Sequence, residues 1–253
     1  MSATLDKALN ERLAQRRAEK LYRKRHSVGS AAGASVRLNG KDTLLFCSND
    51  YLGVANHPKL IEAANQATKR FGAGSGASHL VSGHSDYHEQ LEQALAQHTG
   101  RDRALLFSTG FMANLGAITA LLGKGDFIFE DRLNHASLLD GGLASGAKFQ
   151  RFHHNDIADL SRRLTKTEGE GNKLVVVDSV FSMDGDCAPL DELVPLCAAN
   201  NAWLMADDAH GYGVLGERGA GVAEQYSQQD LPIYMATLGK AMGSFGAFVA
   251  GSE

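Results

Sequence analysis

Residues 235–247 read MATLGKAMGSFGA. A β-like run over 233–238 ends at Gly239, and Lys240 follows among small residues, with no carboxylate beside it in sequence. Three kinds of chemistry compete for such a lysine. A surface lysine in water is the ordinary case. A phosphate-loop lysine needs G-x-x-x-x-G-K-[ST], but Tyr234 stands at the first glycine position and Ala241 follows the lysine. A Schiff-base lysine wants low-polarity surroundings, so that a useful fraction of its amine is neutral. The choice depends on what else reaches the same place.

The run WLMADDAH, 203–210, places Asp207 and His210 at another strand end. A carboxylate buried there needs a cation, because an unpaired buried charge is costly. An arginine is one such partner. The protonated nitrogen of a pyridine ring is another, and a carboxylate beside it makes the ring an electron sink. Thr237, three residues before Lys240, offers a hydroxyl to a phosphate. Gly110 and Phe111 offer backbone N–H groups at a helix start, where the dipole favours an anion. His135 follows a strand-end loop and can lie flat on an aromatic ring. Each signal alone is weak. Together, at successive strand ends, they indicate pyridoxal 5′-phosphate bound through Lys240.

Other patterns lead nowhere. GYGVLG at 211–216 is a literal G-x-G-x-x-G after a strand, but ERGAGVAEQ follows instead of an amphipathic helix. His84 and His88 have helix-face spacing for zinc, yet HSDYH lacks the zincin glutamate. Ser75 lies among glycines without a G-x-S-x-G elbow.

The elements that must position these residues alternate in type. A hairpin signal, Asn39–Gly40, sits between two β-like runs. His57–Pro58 opens a helix to about Phe71, a glycine-rich loop covers 72–85, and a helix runs on through His98. Strands are expected at 104–107, 126–130, 148–152, 173–179, 203–210, 233–238 and 246–251. Helices are expected after STGF, over 136–144, 156–164 and 190–199. Apolar runs alternating with helix-length segments predict an α/β fold, a mostly parallel seven-stranded sheet with helices on both faces. Ligands of such sheets sit beyond the strands' carboxyl ends. The expected division is an N-terminal helix and hairpin segment, 1–45, and a cofactor-binding large domain, 46–253. Leu5, Leu9, Leu13 and Leu21 predict an amphipathic first helix that packs on something.

The totals exclude several classes. The 253 residues carry a formal net charge of −4, a poor match for nucleic acid. Glycine is abundant at 28 and proline scarce at 4, which suits tight loops between regular elements. Three scattered cysteines form no C-x-x-C pair, so no metal site is expected and a reducing cytoplasm is the default location. No apolar run is long enough to span a membrane.

The stretches SNDYLG, GSGASHLVSGHSDYHEQLE, STGFMAN, LNHASLLDG, VFSMDGDCAPL, DDAHGYGVLGERG and TLGKAMG span nearly all of residues 5–251. With them the chain resembles the α-oxoamine synthases, pyridoxal-phosphate acyltransferases of the aspartate-aminotransferase fold. The resemblance implies Lys240 as the Schiff-base lysine, Asp207 as the pyridinium partner and His210 as the donor to the ring hydroxylate. It implies His135 stacked on the ring, Ser182 and Thr237 as cofactor-site hydroxyls, and Gly110–Phe111 as the phosphate turn. Arg23 matches a substrate-contacting arginine, and Asn49 lies in a motif near the active site. ASHLVSGHS is similar to the biotin-pathway branch, which implies L-alanine and pimeloyl-CoA or pimeloyl-acyl carrier protein as substrates. Glycine-using members, such as 2-amino-3-ketobutyrate ligase, are the alternative, and an inert cofactor-binding domain is another. The resemblance also implies a homodimer, and a small C-terminal domain that is expected beyond Glu253 and absent from this chain.

Overall fold

We describe residues 2–253 of a computed structural model, with side chains from residue 4 onward. The chain divides into two units, Met1–Phe46 and Cys47–Glu253.

The first unit holds helix α1 (Ser2–Ala18) and the antiparallel hairpin of β1 (Ser35–Leu38) and β2 (Lys41–Leu44). Asn39 and Gly40 both take positive φ, 49° and 83°. A two-residue turn of this type needs that backbone to match the strand twist. The expected packed leucine stripe does not form. Leu21 falls past the helix end, and Leu5, Leu9 and Leu13 are exposed. One leucine in four, flanked by Arg12 and Arg16, is narrower than the broad apolar face that buries a globular helix.

The second unit is built on a seven-stranded sheet. Its strands are β3 (Arg103–Phe107), β4 (Phe127–Asp131), β5 (Lys148–Phe152), β6 (Lys173–Asp178), β7 (Ala202–Asp207), β8 (Ile233–Thr237) and β9 (Ala247–Gly251), in the order β3-β9-β8-β7-β6-β4-β5. The β4–β5, β4–β6, β6–β7 and β7–β8 pairs are parallel, and β9 runs antiparallel to both β3 and β8. The mostly parallel sheet expected from sequence is therefore the one observed. The sequence LVVVD in β6 is buried throughout. Both sides of such a strand are covered, so its apolar residues need not alternate.

Two helix layers supply the cover. One face packs Ile128, Leu174, Val176, Met205 and Met235 against α4 (Gly110–Leu121) and α5 (Ala136–Ser145). The other packs Phe129, Val175, Val177, Leu204 and Phe248 against α3 (Asp86–Thr99), α6 (Ile157–Lys166) and α7 (Leu190–Ala199). Helix starts are fixed locally. Pro58 opens α2 (Pro58–Phe71), Thr109 Oγ1 accepts from the Met112 N–H at 3.2 Å, and Asp156 Oδ1 accepts from the Asp159 N–H at 2.8 Å. Each relieves part of the unpaired first turn. His88 is spent the same way: its Nδ1 accepts the Ser85 N–H at 3.0 Å.

One buried group stands out under α5. Glu130 is fully buried, and neither carboxyl oxygen has a hydrogen-bond partner among the described residues. A Cβ on Gly142 would lie 2.6 Å from its Oε1 and 2.7 Å from the Phe149 ring, so α5 comes this close only through a glycine. Burial pushes Glu130 up to about 8, against the weaker pull of Asn134 and Arg151. The native chain then holds a proton that the unfolded chain releases above about pH 4.5. Its stability is full below that pH and is lost as pH rises through about 8, by on the order of a few kcal/mol. Thermal melts from pH 5 to 9 are expected to fall more steeply in the wild type than in Glu130→Gln. Equal slopes would assign the pH dependence to other groups.

Candidate active site

The carboxyl ends of β6, β7 and β8 face the first turns of α4 and α5 across a cavity of about 190 Å³. Gly110, Phe111, His135 and Ser182 line it, as do Asp207, His210, Thr237 and Lys240. Eight sequence-predicted residues thus meet in one place, although 130 positions separate Gly110 from Lys240. A larger open cleft, about 460 Å³, lies between α2 and α3, but His88 is the one ionisable side chain at its wall apart from Tyr87. Chemistry, not volume, singles out the smaller cavity.

Asp207 ends β7 and Asp208 follows it, and the alternation of extended chain sends the two to opposite faces. Asp208 is consumed by the fold. It accepts from Ser179 Oγ, from the Tyr234 hydroxyl at 2.7 Å and from the Val222 N–H at 2.9 Å. The 211–216 stretch forms turns instead of a nucleotide-binding helix, with the Gly211 and Tyr212 N–H groups donating to the Asp208 carbonyl at 3.1 and 2.9 Å. Asp207 instead faces the cavity. It accepts from Asn114 Nδ2 at 2.7 Å and from the Ala209 N–H at 3.0 Å. No arginine reaches it among the described residues. Burial raises its pKa, opposed by those hydrogen bonds and by Lys240. Asp178, its register neighbour on β6, is raised as well, first by burial and then by Asp207.

Lys240 sits in the loop joining β8 to β9. The Gly243 N–H donates to the Lys240 carbonyl at 2.9 Å, and Ser244 donates to the Leu238 carbonyl at 2.9 Å. Gly243 has φ 61°, and a Cβ there would lie 2.5 Å from the Ala55 nitrogen, so the loop packs directly on the 50–55 segment. The amine is half-buried, with Nζ 2.6 Å from His210 Nε2. Burial lowers its pKa, while Asp207 and Asp178 pull the other way. Burial and the neighbouring lysine push His210 down to about 4, so its ring is neutral at pH 7.

Asn114 is the hub that sequence reading missed. One amide hydrogen goes to Asp207 and the other to Ser137 Oγ at 2.9 Å. Ser137 Oγ is in turn 2.7 Å from His135 Nδ1, which also accepts the Ser137 N–H at 3.2 Å. His135 donates its backbone N–H to Asp178 at 2.7 Å. The only sequence signal was an amide in a mostly apolar helix, one turn after Gly110. Tyr51 was also missed; its hydroxyl lies 2.6 Å from His210 Nδ1 and 3.3 Å from Asn49 Oδ1. Asn49 therefore connects to the cavity through Tyr51 and does not line it. The Gly110 and Phe111 N–H groups begin α4 and find no acceptor among the described residues. Thr237 Oγ1 donates to the Gly246 carbonyl at 2.9 Å and accepts from the Gly239 N–H at 3.2 Å. Arg23 lies in the first unit, exposed, between α1 and β1.

Known proteins resemble this chain over nearly its whole length. An 8-amino-7-oxononanoate synthase of Cellvibrio japonicus is 62% identical over 255 residues, covering 100% of this chain and 64% of that protein. The first curated relatives are matched over 61 to 64% of their length. The solved serine palmitoyltransferase of Sphingomonas wittichii superposes with a TM-score of 0.88 at 36% identity, over 98% of this chain and 63% of its own. A serine palmitoyltransferase solved with pyridoxal phosphate does so at 0.88 and 34%, over 98% of this chain and 63% of its own. The family model described as aminotransferase class I and II matches residues 41–253, and the chain belongs to that family.

Proposed function

We propose that the cavity binds pyridoxal 5′-phosphate and that the chain works as an 8-amino-7-oxononanoate synthase. The reaction is the condensation of L-alanine with a pimeloyl thioester, on coenzyme A or acyl carrier protein, with loss of carbon dioxide. The observation that carries this reading is the convergence of Lys240, Asp207 and the start of α4 on one small cavity. The name of the Cellvibrio relative supports the choice of substrates.

The residues fit the cofactor. Asp207 is a buried carboxylate that lacks a cation, and a ring N–H⁺ supplies one. The open N–H groups of Gly110 and Phe111, with the Ser182 hydroxyl, suit a phosphate at a helix start, and Thr237 joins them if its hydroxyl turns from the Gly246 carbonyl. At about 190 Å³ the cavity is below the range of ~300–1,000 Å³ for larger ligands, which suits one substituted ring. When bound, pyridoxal phosphate supplies an aldehyde that joins to amines and a ring that takes up charge from the substrate Cα.

The chain's own residues do the rest. Asp207 would hold the ring nitrogen protonated, and Asn114 fixes that carboxylate by a hydrogen bond of 2.7 Å. Lys240, whose pKa burial lowers, would take the Cα proton and later return one. His135, fixed by Ser137 and Asp178, holds its ring at the cavity wall where it covers an aromatic ligand. Asn49 and Arg23 belong to the substrate side of this reading. A homodimer in the cytoplasm completes it. Leu80 and Phe245, 98% and 74% exposed, support burial against a second copy, and the three free cysteines suit a reducing compartment. No helix among the described residues is long and apolar enough to cross a membrane.

Protein loaded with pyridoxal phosphate is expected to convert L-alanine and pimeloyl-CoA to 8-amino-7-oxononanoate, read by mass spectrometry. Turnover of glycine in preference to alanine would move the chain to the glycine-using branch.

A further inference from the structure

His210 is neutral at pH 7, so one ring nitrogen donates and the other accepts. Which is which decides what Lys240 faces. If Nε2 carries the hydrogen, it donates to a neutral amine. If Nδ1 carries it, Nε2 accepts from an ammonium. The tautomer of an imidazole is set by the hydrogen bond its other nitrogen makes. Here that bond comes from Tyr51, whose hydroxyl is 2.6 Å from Nδ1. Residues 51 and 210 are brought together by the Asp50 turn: Asp50 Oδ1 accepts the Val54 and Ala55 N–H groups at 2.9 and 3.2 Å, and Gly243 of the lysine loop packs on Ala55.

We propose that Asn49 and Tyr51 form a positioning relay that fixes His210 with its hydrogen on Nε2, so that it donates toward Lys240. The chain runs in one direction, from donor to acceptor. A phenol is a better donor than acceptor toward a neutral imidazole, and its single hydrogen goes to the 2.6 Å contact rather than to Asn49 at 3.3 Å. The Asn49 amide then presents its NH₂ to the Tyr51 oxygen, an orientation that exchanges the O and N of the side chain. His210 Nε2 donates to the lone pair of Lys240 Nζ at 2.6 Å. An ammonium at Lys240 meets an N–H instead of a lone pair and is disfavoured. The relay thereby adds to burial in keeping the amine neutral, against the carboxylates of Asp207 and Asp178. The charged or titratable groups that face His210 are Lys240, Tyr51 and His135. The same Nε2–H is available to an oxygen on a ligand ring in the cavity.

The proposal rests on the pyridoxal-phosphate reading only for its second measurement. The first is ¹⁵N NMR of the histidine rings at pH 7.5 without added cofactor, with His210 assigned by its loss in His210→Gln. The wild type is expected to show hydrogen on Nε2 and a bare Nδ1. Asn49→Asp places an acceptor against Tyr51, reverses the chain and is expected to move the hydrogen to Nδ1; Tyr51→Phe is expected to leave a mixture. The second measurement is the pH dependence of pyridoxal phosphate capture by Lys240, followed by absorbance. Its midpoint is expected to rise by about one unit in both variants, roughly a tenfold loss of neutral amine at a given pH. A merely structural role would lower affinity without moving the midpoint. Hydrogen on Nδ1 in the wild type, or an unchanged tautomer in Asn49→Asp, overturns the relay. Correct tautomers with no cofactor capture would sink the proposed function and leave the relay standing.

Discussion

Lys240→Ala is expected to abolish covalent capture of pyridoxal phosphate and to reduce turnover by at least the ~10²–10⁴-fold that a positioned base contributes. Lys240 is the one lysine among the described residues that line the cavity. Lys173 begins β6 and Lys124 follows α4, so both lie toward the amino ends of the parallel strands, the opposite edge of the sheet. Borohydride treatment of the loaded wild type, followed by peptide mapping, is expected to fix the cofactor on the peptide containing Lys240. The fold is expected to survive, because the turn is made by backbone bonds and the side chain's hydrogen-bond partner is His210 alone. Label on Lys124 or Lys173 would remove the basis for assigning Lys240.

Asp207→Asn is expected to cost activity nearly as severely by a different route. The amide has almost the same volume but cannot hold a ring nitrogen in its cationic form, so charge from the substrate Cα loses its sink. The local network can adapt. Asn114 Oδ1 is buried without a partner among the described residues, and turning that amide presents the oxygen to the new NH₂. Melting temperature should change little while turnover collapses. Cofactor capture by Lys240 should persist, which separates this variant from Lys240→Ala. Turnover close to wild type would show that Asp207 is not the ring partner. Asp208 cannot inherit the role without giving up its bonds from Ser179, Tyr234 and Val222.

Much of this arrangement was legible because each element carries its own punctuation. Asn39–Gly40 fixes a hairpin turn, Pro58 starts α2, and Gly100 ends α3 in the left-handed conformation. Buried runs such as FIFED need no partner to be recognised as strands. The polar residues that close those runs, Asp207 and Thr237, then fall at one sheet edge by topology alone. Contacts that join distant segments were not legible. Tyr51 and His210 are 159 positions apart, and Asn114 and Asp207 are 93 apart, so no spacing rule links them. The leucines of α1 misled because regular spacing reports a stripe but not its width. Two adjacent aspartates could not be told apart until the strand's alternation assigned one to the cavity and the other to the turn.

The placement of β9 bears on the order of assembly. This strand enters the sheet between β8 and β3, with Arg103 opposite Gly251 and Tyr234 opposite Ala250. The loop that carries Lys240 is closed locally by the β8–β9 hairpin, but β9 also pairs with β3, joining Phe107 to Ala247 across 140 positions. Such non-local pairing must meet its loop-closure entropy before it gains contacts, so it forms late and slowly. During synthesis Gly110, Phe111 and Asp207 exist as chain before Lys240 is anchored. Capture of an aldehyde ligand at Lys240 should therefore be among the last folding events to appear, trailing the recovery of helix signal in a refolding experiment.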